Sequence, residues 1–300
     1  MFQNLIGKKN FSLDRLATLC HVAEAGSIAA ATGDNANKQS LYSRQIKELE
    51  SFLGIDLLDR TARPSRVSEQ GQQLVRISRN YLSALDDFVG NCKNQPSRVV
   101  VGAGESLIQW ALIPKVLPRL REQLPEANVI FRNLQTEPMI EALQNGEIDL
   151  GFVRNNAVPN SLESAGAFPY GYRLFVPKKF RAKFTEPVTF DQIARYPMAV
   201  LEGTGQFRTT IETLAAEAGV KLNFATECSS STQVALLVAL KECCAILPAF
   251  ARNQLDPDSI DDYPVKGFKK IERTLCFAWS PKRAEIRDII EKAAKVCAGA

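Results

Sequence analysis

Apolar positions recur at helical spacing through the opening part of the chain. Ala23, Ala29, Ala30 and Ala31 are small, as close helix crossing requires, and alanine favours helix. Gly33-Asp34-Asn35-Ala36-Asn37 is turn chemistry, because glycine, aspartate and asparagine tolerate a left-handed backbone. Leu41, Ile46, Leu49 and Leu53 then recur on one helical face and are expected to face a core. The other face carries Gln39, Ser43, Arg44 and Lys47, with Lys38 and Ser40 beside them. The pattern predicts two short helices joined by a polar turn, the second presenting groups that suit DNA. Glutamine and arginine read base edges with paired hydrogen bonds, and serine and lysine suit phosphates. The plainer alternative is a solvated basic amphipathic helix, which is common.

The next stretch favours DNA. In Phe52–Gly71, Leu53, Ile55, Leu57 and Leu58 anchor the segment, and Arg60, Arg63 and Arg66 follow three apart around Pro64. A basic loop containing proline is not regular helix. It fits a wing, a small hairpin that contacts DNA backbone or minor groove. Arg63 and Arg66 are its candidate contacts.

Residues 11–71 resemble the winged helix-turn-helix of LysR-type transcriptional regulators. The matching residues are Leu13, Leu16, Val22, Ala23, Gly26, Ser27, the series Gln39, Ser43-Arg44-Gln45-Ile46, Leu49-Glu50, then Leu53-Gly54, Leu57, Arg60-Thr61, Arg66 and Glu69 to Gly71, spaced without a gap. Lys38, Ser40, Asn35 and Asn37 depart from the usual pattern of serine, proline and apolar residues at those places.

Residues 71–95 carry one apolar stripe, Leu74, Ile77, Tyr81, Leu85 and Phe88, with Arg76, Arg79, Asp86 and Asp87 off it. Such a stripe needs a partner surface. It can pack on its own domain, or, as the resemblance implies, on its counterpart in another subunit, giving a homodimer or a homotetramer. Asn91–Ser97 then breaks the helix.

From Arg98 the texture changes to alternating strands and helices. Val99–Ala103, Asn128–Leu134 and Ile148–Val153 read as strands, Leu107–Leu120 as a helix kinked at Pro114, and Pro138–Asn145 as a helix stopped by Gly146. Units of this kind build a mainly parallel sheet. Leu112-Ile113-Pro114 and Gly146–Leu150 resemble the effector-binding region of the same family, with a looser match at Glu227–Ser230 and Ile246–Pro248. The resemblance implies the fold of periplasmic solute-binding proteins, two α/β lobes around a cleft. Crossings are expected near Phe168–Leu174 and Pro264–Phe268.

Ligands bind outside the carboxyl ends of strands in open α/β sheets. Two glycine-bearing turns qualify, Gly102–Ser106 and Gly203–Gln206. Free N–H groups at helix starts attract anions there. The candidate effector residues are Gly104, Glu105, Ser106, Thr204, Gly205 and Gln206, with Ser229 and Ser230 from a further strand end. Ordinary helix capping is the plainer role for each. Glu105 would repel an anionic effector, so the effector's charge stays open. Lys241-Glu242-Cys243-Cys244 stands where the family usually has Gly-x-Gly, which implies a reshaped turn. Adjacent cysteines are more often buried small hydrophobes than redox sensors.

Composition narrows the function further. Three hundred residues, 45% of them hydrophobic, suffice for two or three domains. The net charge of +4 suits one basic patch rather than a nucleic-acid-coating protein. A single histidine, His21, makes a Ser-His-Asp triad or a multi-histidine metal site improbable. Gly102-x-Gly104 does not complete a dinucleotide motif, and no P-loop is present. Seven cysteines without paired spacing suit a reducing cytoplasm, and no apolar run approaches the roughly 20 residues of a membrane helix.

The expected architecture is α/β with a winged-helix N-terminal domain. A DNA-binding unit at 10–70 leads through a linker helix at 71–95 to a two-lobed effector domain at 98–300. Lobe one is expected at about 98–168 and 267–300, and lobe two at about 169–266. The expected function is sequence-specific transcriptional regulation with no enzymatic activity, no metal and no cofactor besides a small-molecule effector of unknown identity. Double-stranded DNA with a roughly palindromic operator is the expected partner, RNA polymerase a further candidate, and the membrane none. The competing reading is a small-molecule-binding protein or enzyme on the two-lobed fold with a degenerate DNA-binding unit.

Overall fold

The computed structural model describes residues 2–5, 7–93, 95–203 and 205–299, the side chains of Gln206 and Lys270 excepted. Helix α1 (Leu13–Ala25) is capped by Ser12 and stopped by Gly26, and α2 (Ile28–Thr32) is capped by Ser27. Helix α3 (Ala36–Leu53) begins at Asn35, whose side chain accepts from the Lys38 N–H at 2.9 Å. Asparagine is a favoured N-cap, so the turn closes at Asn35, and Ala36 and Asn37 belong to the helix rather than to the turn. Tyr42, Ile46 and Leu49 form the buried stripe of α3. Leu41, expected to face the core, is 39% exposed, and the aromatic ring one position later takes its place. Leu16, Leu19, Val22, Leu57 and Val75 complete this first core.

Strands β1 (Leu58–Asp59) and β2 (Arg66–Val67) pair antiparallel as a small hairpin. Helix α4 (Glu69–Cys92) follows. Its Gly71 passes so close to the hairpin that a Cβ would lie 2.4 Å from the Leu57 carbonyl oxygen. Its 24 residues extend about 36 Å, far beyond the small domain they leave.

A five-stranded sheet comes next. Its strands are β3 (Ser97–Ala103), β4 (Ala127–Asn133), β5 (Leu150–Arg154), β6 (Glu163–Tyr170) and a late return strand. β3 pairs parallel with β4 and with β5. Between β3 and β4, α5 (Glu105–Leu107) runs through a π-helical stretch, Ile108–Val116, into α6 (Leu117–Gln123). Pro114 lies inside the π-helical stretch, where the wider turn accommodates a residue with no N–H to donate. Helix α7 (Thr136–Gln144) connects β4 to β5.

The chain crosses at Gly171 into a second lobe. It contains β7 (Tyr172–Pro177), α8 (Phe190–Ile193), β8 (Met198–Leu201), α9 (Gln206–Glu217), β9 (Phe224–Cys228), α10 (Ser231–Ala239), β10 (Ala245–Pro248) and β11 (Ile260–Pro264). β7 lies between β10 and β11, antiparallel to both, and β8 pairs parallel with β9. The Ala199 N–H donates to the Cys244 carbonyl, and the Cys244 N–H to the Pro197 carbonyl, each at 2.8 Å, so β8 also joins β10. The return strand β12 (Arg273–Trp279) inserts antiparallel between β5 and β6, followed by α11 (Pro281–Ala284) and α12 (Asp288–Ala298). Phe268 and Ile271 still pack in the second-lobe core. The passage back therefore falls near Glu272, later than the Pro264–Phe268 expected from sequence, because two apolar side chains hold that segment down. Trp110, from the π-helical stretch of lobe one, is buried in a lobe-two core and its Nε1–H donates to Gln254 Oε1 at 3.2 Å.

Candidate DNA-binding surface and effector cleft

One face of α3 is free. Gln39, Ser40, Ser43, Arg44 and Lys47 line a shallow open groove with Asn10, Ala36, Glu48 and Ser51. The opposite face is fixed to α1: Thr18 Oγ1 donates to Gln45 Oε1 at 2.6 Å, and His21 Nδ1 meets the Tyr42 hydroxyl at 3.1 Å. Arg44 is 69% exposed, and among the described residues its only ion pair, with Glu48, is a loose 4.0 Å. Glu48 is itself occupied by Arg15, whose Nε donates to it at 2.9 Å. The groove thus presents two cations, and its one carboxylate is already paired.

Lys38 lies off this groove, its Nζ 5.4 Å from the centre of the Tyr42 ring. In the hairpin, Arg63 is exposed at the tip, and Arg66 pairs with Asp59 at 3.5 Å. Arg60 donates to Glu50 at 2.6 Å, while Glu50 also accepts from the Leu57 N–H at 2.9 Å. Arg60 therefore ties the hairpin to the end of α3. The Glu50 carboxylate raises its pKa, against the opposing effect of burial.

Between the lobes lies a cleft of about 390 Å³. Gly104, Glu105, Ser106, Ser229 and Ser230 line it. Gly205 opens α9 and is not part of this lining. Thr204 and the Gln206 side chain lie outside the described residues. Glu105 reaches across the cleft: its Oε1 accepts from Thr232 Oγ1 at 3.1 Å and from Gln109 Nε2 at 3.4 Å. The Ser230 side chain caps α10, accepting from the Gln233 N–H at 3.3 Å.

Sequence reasoning missed Asn133, Gln135, Thr136, Arg154, Tyr170 and Tyr172, all on the cleft wall. Asn133 ends β4 and Arg154 ends β5. Applying the carboxyl-end rule to every parallel strand, rather than only to glycine-bearing turns, finds both. The tyrosines flank the crossing at Gly171, and only the three-dimensional path brings them to the cleft. Burial pushes both tyrosine hydroxyls up, and Tyr172 adds to the rise at Tyr170.

Residues 94–297 match the family model described as the LysR substrate binding domain, and residues 13–72 match the bacterial regulatory helix-turn-helix protein model of the lysR family. The chain belongs to the LysR family. It is a LysR-type transcriptional regulator with a DNA-binding winged helix and an effector-binding domain, and not an enzyme. Among similar proteins, the uncharacterized HTH-type transcriptional regulator YfeR of Shigella flexneri is 24% identical over 81% of this chain and 80% of its own. The HTH-type transcriptional regulator BenM of Acinetobacter baylyi is 32% identical over 44% of each chain. Full-length CbnR in complex with its target DNA has the same fold, with TM-score 0.58 and 19% identity over 95% of this chain and 99% of that one. Full-length OxyR of Pseudomonas aeruginosa gives TM-score 0.64 and 17% identity over 96% of this chain and 94% of that one.

In this LysR-family regulator a second cavity, about 440 Å³, lies where the winged helix, α4 and lobe one meet. Arginines and carboxylates bridge all three. Arg132 of β4 donates to Glu24 of α1 at 2.8 Å, and Arg79 of α4 donates to Glu147 at 2.8 Å. Glu147 follows α7, and its carbonyl accepts from Arg132 at 3.3 Å. Helix α7 therefore starts in the effector cleft, at Gln135, Thr136 and Met139, and ends beside Gly146 and Glu147 in this junction. Its nine residues separate the two sites by about 14 Å of rigid helix.

Cys243 and Cys244 are buried. Burial, with Cys243 adding a smaller effect, pushes the Cys244 thiol up to about 12. A thiol held protonated in an apolar setting is a packing group rather than a nucleophile.

Proposed function

We propose that the free face of α3 enters the DNA major groove, with Gln39, Ser43 and Arg44 on base edges and Ser40 and Lys47 on phosphate. Arg63 and Arg66 of the hairpin meet the backbone or minor groove alongside. Lys38 sits over Tyr42 and supports the helix start. The observation that carries this reading is the groove itself, polar and basic and, among the described residues, without a tertiary partner, on a helix fixed to the domain by its other face. Full-length CbnR, similar in fold, is described in complex with target DNA, which supports the same role here. DNA from upstream of this protein's own gene, titrated against salt with random DNA as competitor, tests the proposal. Tight, competitor-resistant binding with a steep salt slope is expected. Weak binding, equal for both DNAs, would shift the weight to a ligand-binding role.

The protein acts as a dimer or a pair of dimers joined through α4. Ile77, Tyr81, Leu85 and Phe88 are all exposed on that helix, Phe88 at 66%. A stripe of this size without cover marks an interaction surface. Replacing both Leu85 and Phe88 with aspartate is expected to give a single-chain species in sedimentation equilibrium. Helical content should be retained, since neither residue belongs to a core of this chain. An unchanged assembly would move the interface elsewhere. A two-fold arrangement implies a roughly palindromic operator.

The effector occupies the cleft and shifts the arrangement of subunits by linkage. Helix α7 is the mechanical route. Its first turn lines the cleft, and Glu147 beyond its last turn is tied to α4 through Arg79 and to α1 through Arg132 and Glu24. Displacement at one end has to be accommodated at the other.

A further inference from the structure

The free groove of α3 does not end with α3. Asn10 lines it together with Lys47, Glu48 and Ser51. The chain just ahead of α1 is fixed to that end of the helix. Phe11 packs on Phe52 with ring centres 5.2 Å apart, and the Ser12 side chain accepts from the Arg15 N–H. Upstream of this anchor the backbone enters the left-handed region twice, at Asn10 with φ of +73° and at Gly7 with φ of +70°. Asparagine and glycine enter that region most readily. Lys8 and Lys9 stand between the two turns, and both are exposed. Among the described residues neither ammonium meets a carboxylate. Three residues of chain span at most about 11 Å, so both lysines stay near the Phe11 anchor and hence near the C-terminal end of α3. They lie ahead of the segment that matches the helix-turn-helix model, which begins at Leu13.

We infer that Lys8 and Lys9 form a basic arm that binds DNA phosphates, a role that rests on the α3 face being the DNA surface. A recognition helix contacts base edges with its N-terminal residues. Helix α3 has 18 residues and is about 27 Å long, more than twice the roughly 12 Å width of the major groove. Its C-terminal end therefore rises over the backbone strand that borders the groove, and that is the end at which the arm is anchored. Beyond Lys47 the helix contributes only Glu48 and Ser51 to the groove lining. Lys8 and Lys9 supply the positive charge that this end lacks. A lysine ammonium is a point charge on a flexible stem, suited to phosphate rather than to paired reading of a base. The arm thus lengthens the contact of each half-site along the backbone without adding sequence preference. The turn at Asn10 and the packing of Phe11 limit where the pair can go, which lowers the entropy lost when it settles on DNA.

The test uses the full chain, DNA from upstream of its own gene and a random duplex, in anisotropy titrations over a salt series. Replacing both Lys8 and Lys9 with alanine is expected to lower the salt slope by about two per subunit. Both DNAs should weaken by the same factor, about 10-fold or more near 0.1 M salt. Replacing both with arginine should keep the parent's slope. Urea melts should not distinguish the alanine variant from the parent, since both side chains are exposed. Hydroxyl-radical footprints should show the alanine variant losing backbone protection next to that lost in Lys47→Ala. An alanine variant with the parent's slope, while Lys47→Ala loses its unit, overturns the arm and leaves the α3 face standing. If neither variant changes the slope, the DNA reading of α3 falls and the arm with it. An arginine variant as weak as the alanine variant overturns the role of charge. Weakening confined to the upstream DNA, with random DNA unaffected, overturns the phosphate assignment.

Discussion

Arg44→Ala is expected to remove about 1–3 kcal/mol of operator affinity per half-site, roughly 5- to 150-fold, while leaving binding to random DNA nearly intact. The side chain stands free of the protein, so nothing in the fold depends on it. Its loose contact with Glu48 survives neither as a strong ion pair nor as a buried one. The unfolding free energy from urea melts should therefore stay within about 0.5 kcal/mol of the parent. Lys47→Ala is the contrasting variant. A phosphate contact contributes equally to every sequence, so Lys47→Ala should weaken both DNAs and reduce the salt slope by about one per subunit. Anisotropy titrations of operator and random duplex at matched salt separate the two. If Arg44→Ala keeps the parent's ratio of operator to random affinity, Arg44 does not read bases.

The recognition face could be read from sequence because a helix bound on one side must show its remaining positions to solvent, and those positions were polar and basic. The apolar stripe misled at one place. Leu41 and Tyr42 are both acceptable core residues, and spacing of three and four fits Tyr42, Ile46 and Leu49 better than it fits Leu41. The helix start at Ala36 was hidden because asparagine serves equally as a turn residue and as an N-cap. In the effector domain, glycine-bearing turns were visible, but Arg154, Asn133 and the two tyrosines were not. Their common property is position at a strand end or a lobe crossing, which depends on how the strands are ordered. At Lys241, where the resembled pattern has glycine, the backbone still takes φ of +66°, so the turn kept its left-handed geometry without the residue that favours it. The charged junction was the least legible part. Arg79, Asp87, Asp149, Arg283 and Arg287 are scattered over more than two hundred positions, and only the fold assembles them.

Asp149→Ala is expected to cost about 3–5 kcal/mol, because the carboxylate is the shared partner of two buried guanidiniums. Asp149 is 3% exposed. Its Oδ1 accepts from Arg287 at 2.6 Å and pairs with Arg283 at 2.9 Å, while its Oδ2 accepts from the Val100 N–H at 2.8 Å. Burial holds the Arg283 pKa below its ordinary value even with Asp149 beside it. Burial also works against charge on Arg287, but Asp87 and Asp149 together outweigh it and raise that group. Both cations are thus kept inside by carboxylates, and removing the shared one leaves Arg283, among the described residues, with only the Ile148 carbonyl. The consequence reaches function, since Arg287 also binds Asp87 on α4 and the Arg98 carbonyl on β3. That junction sets how the linker helix leaves lobe one, and the proposed signal from α7 passes beside it. Asp86→Ala, an exposed neighbour without an ion pair among the described residues, should change stability by less than about 0.5 kcal/mol. Urea melts of the full chain make the comparison. A loss below about 1 kcal/mol for Asp149→Ala would mean that water or rearranged partners satisfy the arginines. The junction would then not be the rigid connection on which coupling between cleft and DNA depends. A large loss in Asp149→Ala alone, with Asp87→Ala milder but deaf to effector at normal DNA affinity, would place the coupling in the α4 anchor itself.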